Sequence, residues 1–378
     1  MAGRDVIPFN KPALVGPELQ YISEALEAGQ LAGNGLFTRR CHELLCSALA
    51  TTKALLTHSC TSALEMAAIL AEVGPGDEVI MPSFTFVSTA NAFVLRGATP
   101  VFVDARDDTF NLDERLIEAA ITSRTRAIVP VHYAGVACDM NAISDVAERY
   151  GLLVIEDAAQ AFGSRYRGRA LGSFGTLAAL SFHETKNVIS GEGGALIVND
   201  PLLSPRADII WEKGTNRAEF FRGDVDKYSW VDLGSSFLPG ELVAAFLYAQ
   251  LQAATLITER RRAMWSAYHE AFSMSEAQGR LRRPCVPDWC VHNGHMYYVV
   301  LESLAQRSAF IAALRKAGVG AVFHYVPLHS APAGLRYGRA HGSLPVTDSV
   351  TDRLVRLPLW PGMEAVQPRI ISAVLAAL

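Results

Sequence analysis

The chain lacks paired cysteine spacings, long uncharged apolar runs and any excess of positive charge. Its six cysteines (Cys41, Cys46, Cys60, Cys138, Cys285, Cys290) are scattered without a Cys-x-x-Cys pair. Neither a disulfide framework nor a structural zinc site is expected, and no metal site is assigned. No apolar stretch reaches the ~18 residues that a membrane-spanning helix needs, and Met1 runs to Pro8 without the apolar segment of an export signal. Lys and Arg number 34 against 38 Asp and Glu, a net charge of −4, which argues against a general binder of nucleic acid or membrane surfaces. The expectation is a soluble cytoplasmic protein with free thiols.

Several common motifs are missing too. No Gly-x-Gly-x-x-Gly follows a strand, and no phosphate loop ends in Gly-Lys-Ser/Thr. His183-Glu-Thr-Lys-Asn187 lacks the second histidine of a zinc protease. Leu171-Gly-Ser-Phe-Gly175 has leucine where a serine-hydrolase elbow needs glycine. No internal repeat or low-complexity tract is evident.

What is present is a large, foldable α/β pattern. The 378 residues are 50% hydrophobic and 19% charged, enough for two domains. Predicted strands are Glu78–Pro82, Thr99–Asp104, Arg126–His132, Leu152–Asp157, Ala179–Phe182 and Ala195–Val198. Helical patterns lie between them, at Ser62–Val73 and Asp139–Tyr150. Strands apolar on successive residues suit a mostly parallel sheet covered on both faces. Gly240 to Phe272 reads as one or two long helices. Beyond it, Met296–Leu301, Gln306–Ala317 and Ala321–Tyr325 read as strand, helix, strand. The division expected is a large α/β domain over 1–249 and a smaller α+β domain over 250–378, with the first residues packing on the latter.

Four local features carry chemistry. Ser59-Cys-Thr-Ser-Ala63 opens a helix, whose free N–H groups with the Thr61 and Ser62 hydroxyls make either a phosphate cradle or an ordinary cap. Asp157 ends an apolar strand and needs a partner, either a protonated heterocycle nitrogen or a helix end or arginine. Lys186 follows another strand and is either a surface amine or a nucleophile with a lowered pKa. Gly191, Gly193 and Gly194 allow a backbone wrapped closely around a ligand, or a plain turn. Taken together with Phe86 after a strand, these features match the demands of pyridoxal 5′-phosphate (PLP): a lysine, an acid for the ring nitrogen, a phosphate cradle and a stacking surface.

On these residues the chain resembles the sugar aminotransferases of the DegT/DnrJ/EryC1/StrS group. The likeness runs from Ile7-Pro-Phe-Asn10 and Gly33 through Pro82–Thr89, Val131–Gly135, Glu156–Gln160 and Ser181–Gly194 to Phe323–His329. Thr85–Gly97, His183–Asn187, Lys213–Arg217 and Phe221–Tyr228 are most similar to the branch of dTDP-4-amino-4,6-dideoxygalactose transaminases. The resemblance implies the PLP-dependent fold-type I architecture and a homodimer with its active site at the interface. It implies Lys186 as the lysine that bonds the cofactor and Asp157 as the acid on its ring nitrogen. It places Thr61, Ser62 and Ser181 at the phosphate, Phe86 over the ring and Gln160 beside the 3-hydroxyl. Where the family has an asparagine that reaches the partner's phosphate, this chain has Ser236; Leu238 stands in place of the following arginine. The donor implied is L-glutamate and the acceptor dTDP-4-keto-6-deoxy-D-glucose, in polysaccharide or deoxy-amino-sugar synthesis. Alternatives are a different nucleotide keto sugar, amination at C3, or a non-catalytic PLP-binding regulator.

Further substrate contacts are expected from Lys213, Arg217 and Arg222 toward the nucleotide diphosphate, and from His324, Tyr325 and His329 in the sugar pocket. His132 and His183 read as structural, Cys60 as a packing residue, and Arg260–Arg262 and Arg280–Arg283 as solvated faces.

Overall fold

A computed structural model describes residues 6–378. At its centre is an eight-stranded sheet. Its strands are β1 (Lys53–Thr57), β2 (Glu78–Pro82), β3 (Thr99–Val103), β4 (Thr125–Ile128), β5 (Leu153–Asp157), β8 (Leu177–Ser181), β9 (Gly194–Val198) and the short β12 (Arg339–Ala340). Between β5 and β8 lie β6 (Arg165–Tyr166) and β7 (Arg169–Ala170), which join β10 (Cys290–Val291) in a minor sheet. The order across the main sheet is β1-β9-β8-β5-β4-β2-β3-β12. Only β9 runs against its neighbours, β1 and β8.

The expected burial on both faces is plain in the packing. Every residue of β2, β8 and β9 is buried. Leu56, Ile80, Ile128, Val154 and Ala178 face one apolar core, while Leu55, Val79, Ala127, Ile155 and Leu177 face another. That is the alternation of a pleated strand between two helical layers. The helix Cys60–Leu70 starts at Ser59, whose hydroxyl accepts from Ser62 N at 3.1 Å. The helix Met140–Tyr150 is capped by Asp139 and ends at Gly151 in the left-handed conformation, φ 64°, as such a C-terminus requires.

A third core gathers Ile7 with Met264, Tyr297, Phe310, Val355 and Ile370. Gly240–Phe272 is two helices, Glu241–Gln252 and Ala254–Ala271, bent by 61° at their junction. Among the described residues no single helix is long and apolar enough to cross a membrane.

The structure corrects three readings. The expected strand Arg126–His132 is shorter, Thr125–Ile128, because the chain turns toward a 3-10 segment at Tyr133–Gly135. Ala321–Tyr325 is not a strand. It makes one isolated bridge, Val322 to Arg356, and Tyr325 adopts φ +55°, which no strand tolerates. The partner of β11 (Tyr297–Val300) is instead β13 (Leu354–Leu357). Arg261 is not on a solvated face. It is 2% exposed and donates to the carbonyls of Gly294 and His295, at 3.1 and 2.6 Å.

Candidate active site

Parallel strands deliver their loops to one edge of a sheet, and ligands collect there. A cavity of about 730 Å³ opens at that edge. Asp157, the last residue of β5, and Ser181, the last of β8, both line it. Lys186 enters from the loop joining β8 to β9, held by Lys186 N to His183 O at 2.9 Å.

Asp157 is 5% exposed. Its Oδ2 accepts from Thr89 Oγ1 at 2.7 Å and its Oδ1 from Ala159 N at 3.2 Å. Because Thr89 spends its proton on the carboxylate, Thr85 Oγ1 donates to Thr89 Oγ1 at 2.8 Å. The carboxylate is therefore fixed in direction while still lining the cavity.

The Lys186 amine has no hydrogen-bond or ion-pair partner among the described residues. Burial lowers its pKa below the ordinary lysine value, Arg356 adds to the lowering, and Cys60 and Asp157 oppose it. The backbone beside it is pinned. Asn187 Nδ2 donates to Asn293 O at 2.9 Å, and its Oδ1 meets His295 Nδ1 at 3.1 Å. Arg261 grips the same 293–295 loop from behind. Burial and the cations Lys186, Arg261 and Arg356 keep His295 neutral.

The expected phosphate cradle, at the start of the helix Cys60–Leu70, is met by β9 at close approach. A Cβ on Gly194 would lie 2.4 Å from Cys60 N. Only glycine lets β9 come so near. Thr61 Oγ1 pairs with Ser88 Oγ at 2.7 Å, and both residues line the cavity. Ser62 does not: its hydroxyl turns back to Ser59 Oγ at 3.2 Å.

On the opposite wall, Gln160 Oε1 accepts from Ala134 N at 2.7 Å and its Nε2 donates to Tyr325 OH at 2.8 Å. One amide proton of Gln160 and the phenolic proton of Tyr325 remain to donate. His324 stacks on Tyr325 at 3.6 Å between ring centroids, and Tyr133 OH bonds its Nδ1 at 2.8 Å. Phe86, 58% exposed, borders the opening.

The cavity thus brings together Thr61, Phe86, Asp157, Gln160, Ser181, Lys186, His324 and Tyr325. It leaves out Ser62, Lys213, Arg217, Arg222, Ser236 and His329. His329 is tied to Ser83 at 2.8 Å and to Asp348 at 3.4 Å, a packing role. Ser236 is exposed and bridges to Glu212. Lys213, with φ +66°, and the helix Arg217–Arg222 lie on the same flank. Cys60 borders the cavity beside the expected phosphate cradle, and burial and Asp157 raise its thiol pKa.

The family model of the DegT/DnrJ/EryC1/StrS aminotransferases matches residues 13–375. The chain belongs to that family. It is 34% identical over 368 residues to the spore coat polysaccharide biosynthesis protein SpsC of Bacillus subtilis (strain 168), covering 94% of this chain and 93% of that one. Its structure is similar to S. venezuelae DesV in complex with a ketimine intermediate: TM-score 0.89, 32% identity, 99% of each chain covered. It is also similar to the PLP form of Spr1654 from Streptococcus pneumoniae: TM-score 0.88, 26% identity, covering 99% of this chain and 100% of that one. This member of the DegT/DnrJ/EryC1/StrS family is therefore a PLP-dependent sugar aminotransferase with an α/β fold. The site fits the cofactor: an unpartnered amine, a fixed carboxylate and a glycine-lined helix start face one cavity.

Residues to which sequence reading assigned no role also line the site or hold it in place. Thr89 and Arg261 act through neighbours distant in sequence. Arg356 left a signal, a lone cation in the apolar run Leu354-Val-Arg-Leu357.

Proposed function

We propose that the protein moves an amino group from L-glutamate to C4 of a nucleotide-linked 4-keto-6-deoxy sugar. The acceptor we favour is dTDP-4-keto-6-deoxy-D-glucose, giving the galacto-configured 4-amino sugar and 2-oxoglutarate. The observation that carries the reading is the unpaired Lys186 amine sharing a cavity with the oriented Asp157 carboxylate. The nucleotide and the carbon aminated are supported by the likeness of Thr85–Gly97, Lys213–Arg217 and Phe221–Tyr228 to the dTDP-sugar branch.

Bound PLP supplies an electron sink for the carbon that loses or gains the amine. Asp157 would hold a proton on the ring nitrogen, because a carboxylate fixed by Thr89 favours the charged form of a base placed against it. The lowered pKa of Lys186 leaves its amine able to take a proton from the donor Cα and to return it on the far side of the reaction. Positioned proton transfer of this kind is worth roughly 10²–10⁴ in rate. Gly194 and the helix start at Cys60 would hold the phosphate, with Thr61 and Ser181. Gln160 would donate to the 3-hydroxyl oxygen of the cofactor and Tyr325 to the sugar. Neutral His324 stacks behind Tyr325 and itself adds no charge to the wall.

We further read the active form as a homodimer. Phe221, Trp230, Val231 and Leu233 are exposed at 69%, 79%, 51% and 49%. They lie beside Lys213, Arg217, Arg222 and Ser236, none of which lines the cavity of its own chain. A flank both apolar and cationic suits completion of a partner's site, with the arginines on the nucleotide diphosphate.

The test is a panel of dTDP-, UDP- and GDP-linked 3- and 4-keto sugars, incubated with PLP-loaded enzyme and L-glutamate. Product mass and configuration are then read. The proposal expects the dTDP 4-keto-6-deoxy substrate to be turned over fastest, with galacto stereochemistry. Amination at C3, or preference for another nucleotide, would overturn the substrate assignment.

A further inference from the structure

Among the described residues, three cationic side chains line the cavity: Lys186, Arg261 and Arg356. Arg261 is occupied by the carbonyls of Gly294 and His295. Lys186 is the reacting amine of the proposal above. Arg356 has no such task. It projects from β13, whose Leu354, Val355 and Leu357 are buried in the protein. Its guanidinium carbon lies 4.8 Å from the centroid of Phe9. One terminal nitrogen donates to Phe323 O at 3.3 Å, and its buried Nε has no partner.

No carboxylate answers this cation among the described residues. The acidic side chains lining the cavity are Asp157 and Glu192. Thr89 and Ala159 N engage Asp157, and Glu192 lies 3.7 Å from His183. A partly buried guanidinium with an unpartnered Nε and no anion is costly to keep. Its planar fork matches a carboxylate in bidentate fashion, and Phe9 below it and the Phe323 carbonyl beside it restrict how the fork can turn.

The two substrates carry negative charge in different places. On a nucleotide sugar the charge is on the diphosphate at C1, across the ring from C4. On an amino-acid donor the α-carboxylate sits on the very carbon that bears the amine. An unpaired cation lining the same cavity as Lys186 therefore suits the donor. We propose that Arg356 binds the α-carboxylate of the amino-acid donor. The proposal rests on the transamination reading above and adds how that donor is recognised.

The test uses PLP-loaded enzyme and its Arg356→Leu and Arg356→Lys variants. Three readings are compared: affinity for L-glutamate in the half-reaction, affinity for 4-aminobutyrate (glutamate without its α-carboxylate), and affinity of the amine-loaded enzyme for keto sugar. Loss of one partner of a desolvated charge pair predicts that Arg356→Leu weakens L-glutamate roughly 30-fold or more. Arg356→Lys, which keeps the charge but not the fork, should lose less. 4-Aminobutyrate and keto sugar should bind all three enzymes alike. Arg356→Lys carries the comparison if the leucine variant does not fold. Unchanged glutamate affinity, an equal loss for 4-aminobutyrate, or a loss confined to the keto sugar would each overturn the assignment. If the wild-type enzyme shows no half-reaction with any amino acid, it is the transamination reading that fails.

Discussion

Asp157 shows how much of this site depends on one hydroxyl to which sequence reading assigned no role. Thr89 Oγ1 fixes its Oδ2 at 2.7 Å, so Thr89→Val should leave an unsatisfied buried carboxylate oxygen, worth about 1–3 kcal/mol. Steady-state kinetics should show kcat reduced about tenfold, with PLP still bound. Asp157→Asn should retain some PLP and cut turnover far more severely; a wild-type rate in this variant would remove its assigned role. Lys186 makes a prediction in pH. Its folded pKa is lowered, so the amine sheds its proton at lower pH than an exposed lysine would. The rate of PLP uptake by apoprotein should therefore rise with pH and level off below the usual lysine range. A profile that still climbs at ordinary lysine pKa values would contradict the burial argument. Asp157, Ser181 and Lys186 were legible in the sequence because strand ends and glycine-rich turns announce themselves locally. The roles of Thr89, Arg261 and Arg356 were not, because they come from what folds against each residue; a run of three arginines reads as surface until Arg261 is seen beneath the 293–295 loop.

At the scale of elements, the meeting of β9 with the helix Cys60–Leu70 is the tightest constraint on the site. Gly194→Ala would set a Cβ 2.4 Å from Cys60 N, and backbone on both sides cannot yield cheaply. The variant should lose about 1–3 kcal/mol of stability by denaturant titration and bind PLP more weakly. A second element carries a pH signature. His42, in the helix Leu36–Leu49, accepts from Leu56 N of β1 at 2.9 Å, and burial with the Lys53 charge lowers its pKa to about 3. The unfolded chain binds this proton near the ordinary histidine value and the folded one does not, so stability falls as pH drops from about 6.5 toward 3. His42→Gln should flatten that part of the stability profile by up to about 1.4 kcal/mol per pH unit. Most central strands were readable from continuous apolar runs. Ala321–Tyr325 carries the same Val, Phe and Tyr composition, yet a single left-handed residue, Tyr325, turns it into the wall of the cavity. Strand propensity could not reveal that, since the cause is tertiary: the Tyr325 hydroxyl is drawn to Gln160.

Across the whole molecule, the cavity sits where the sheet meets the C-terminal core. Phe84, Tyr133 and Phe110 from one side pack on Tyr298 and Leu354 from the other. The N-terminal segment closes the same wall: Ile7 N bonds Gly318 O at 2.8 Å, and Phe9 lies against Arg356. This joining of distant segments explains why composition and periodicity alone reached the α/β class but not the site's full boundary. The exposed apolar flank around Trp230 predicts that sedimentation gives twice the 40.9 kDa chain mass, and that Trp230→Glu weakens association and turnover together. A fully active monomer would contradict the shared-site reading.

The most direct measurement is borohydride reduction of the PLP-loaded protein, followed by peptide mapping of the pyridoxyl group. The account predicts the label on Lys186, its disappearance in Lys186→Ala, and loss of turnover with it. A label on another lysine, or an unlabelled protein that still transaminates, would contradict it.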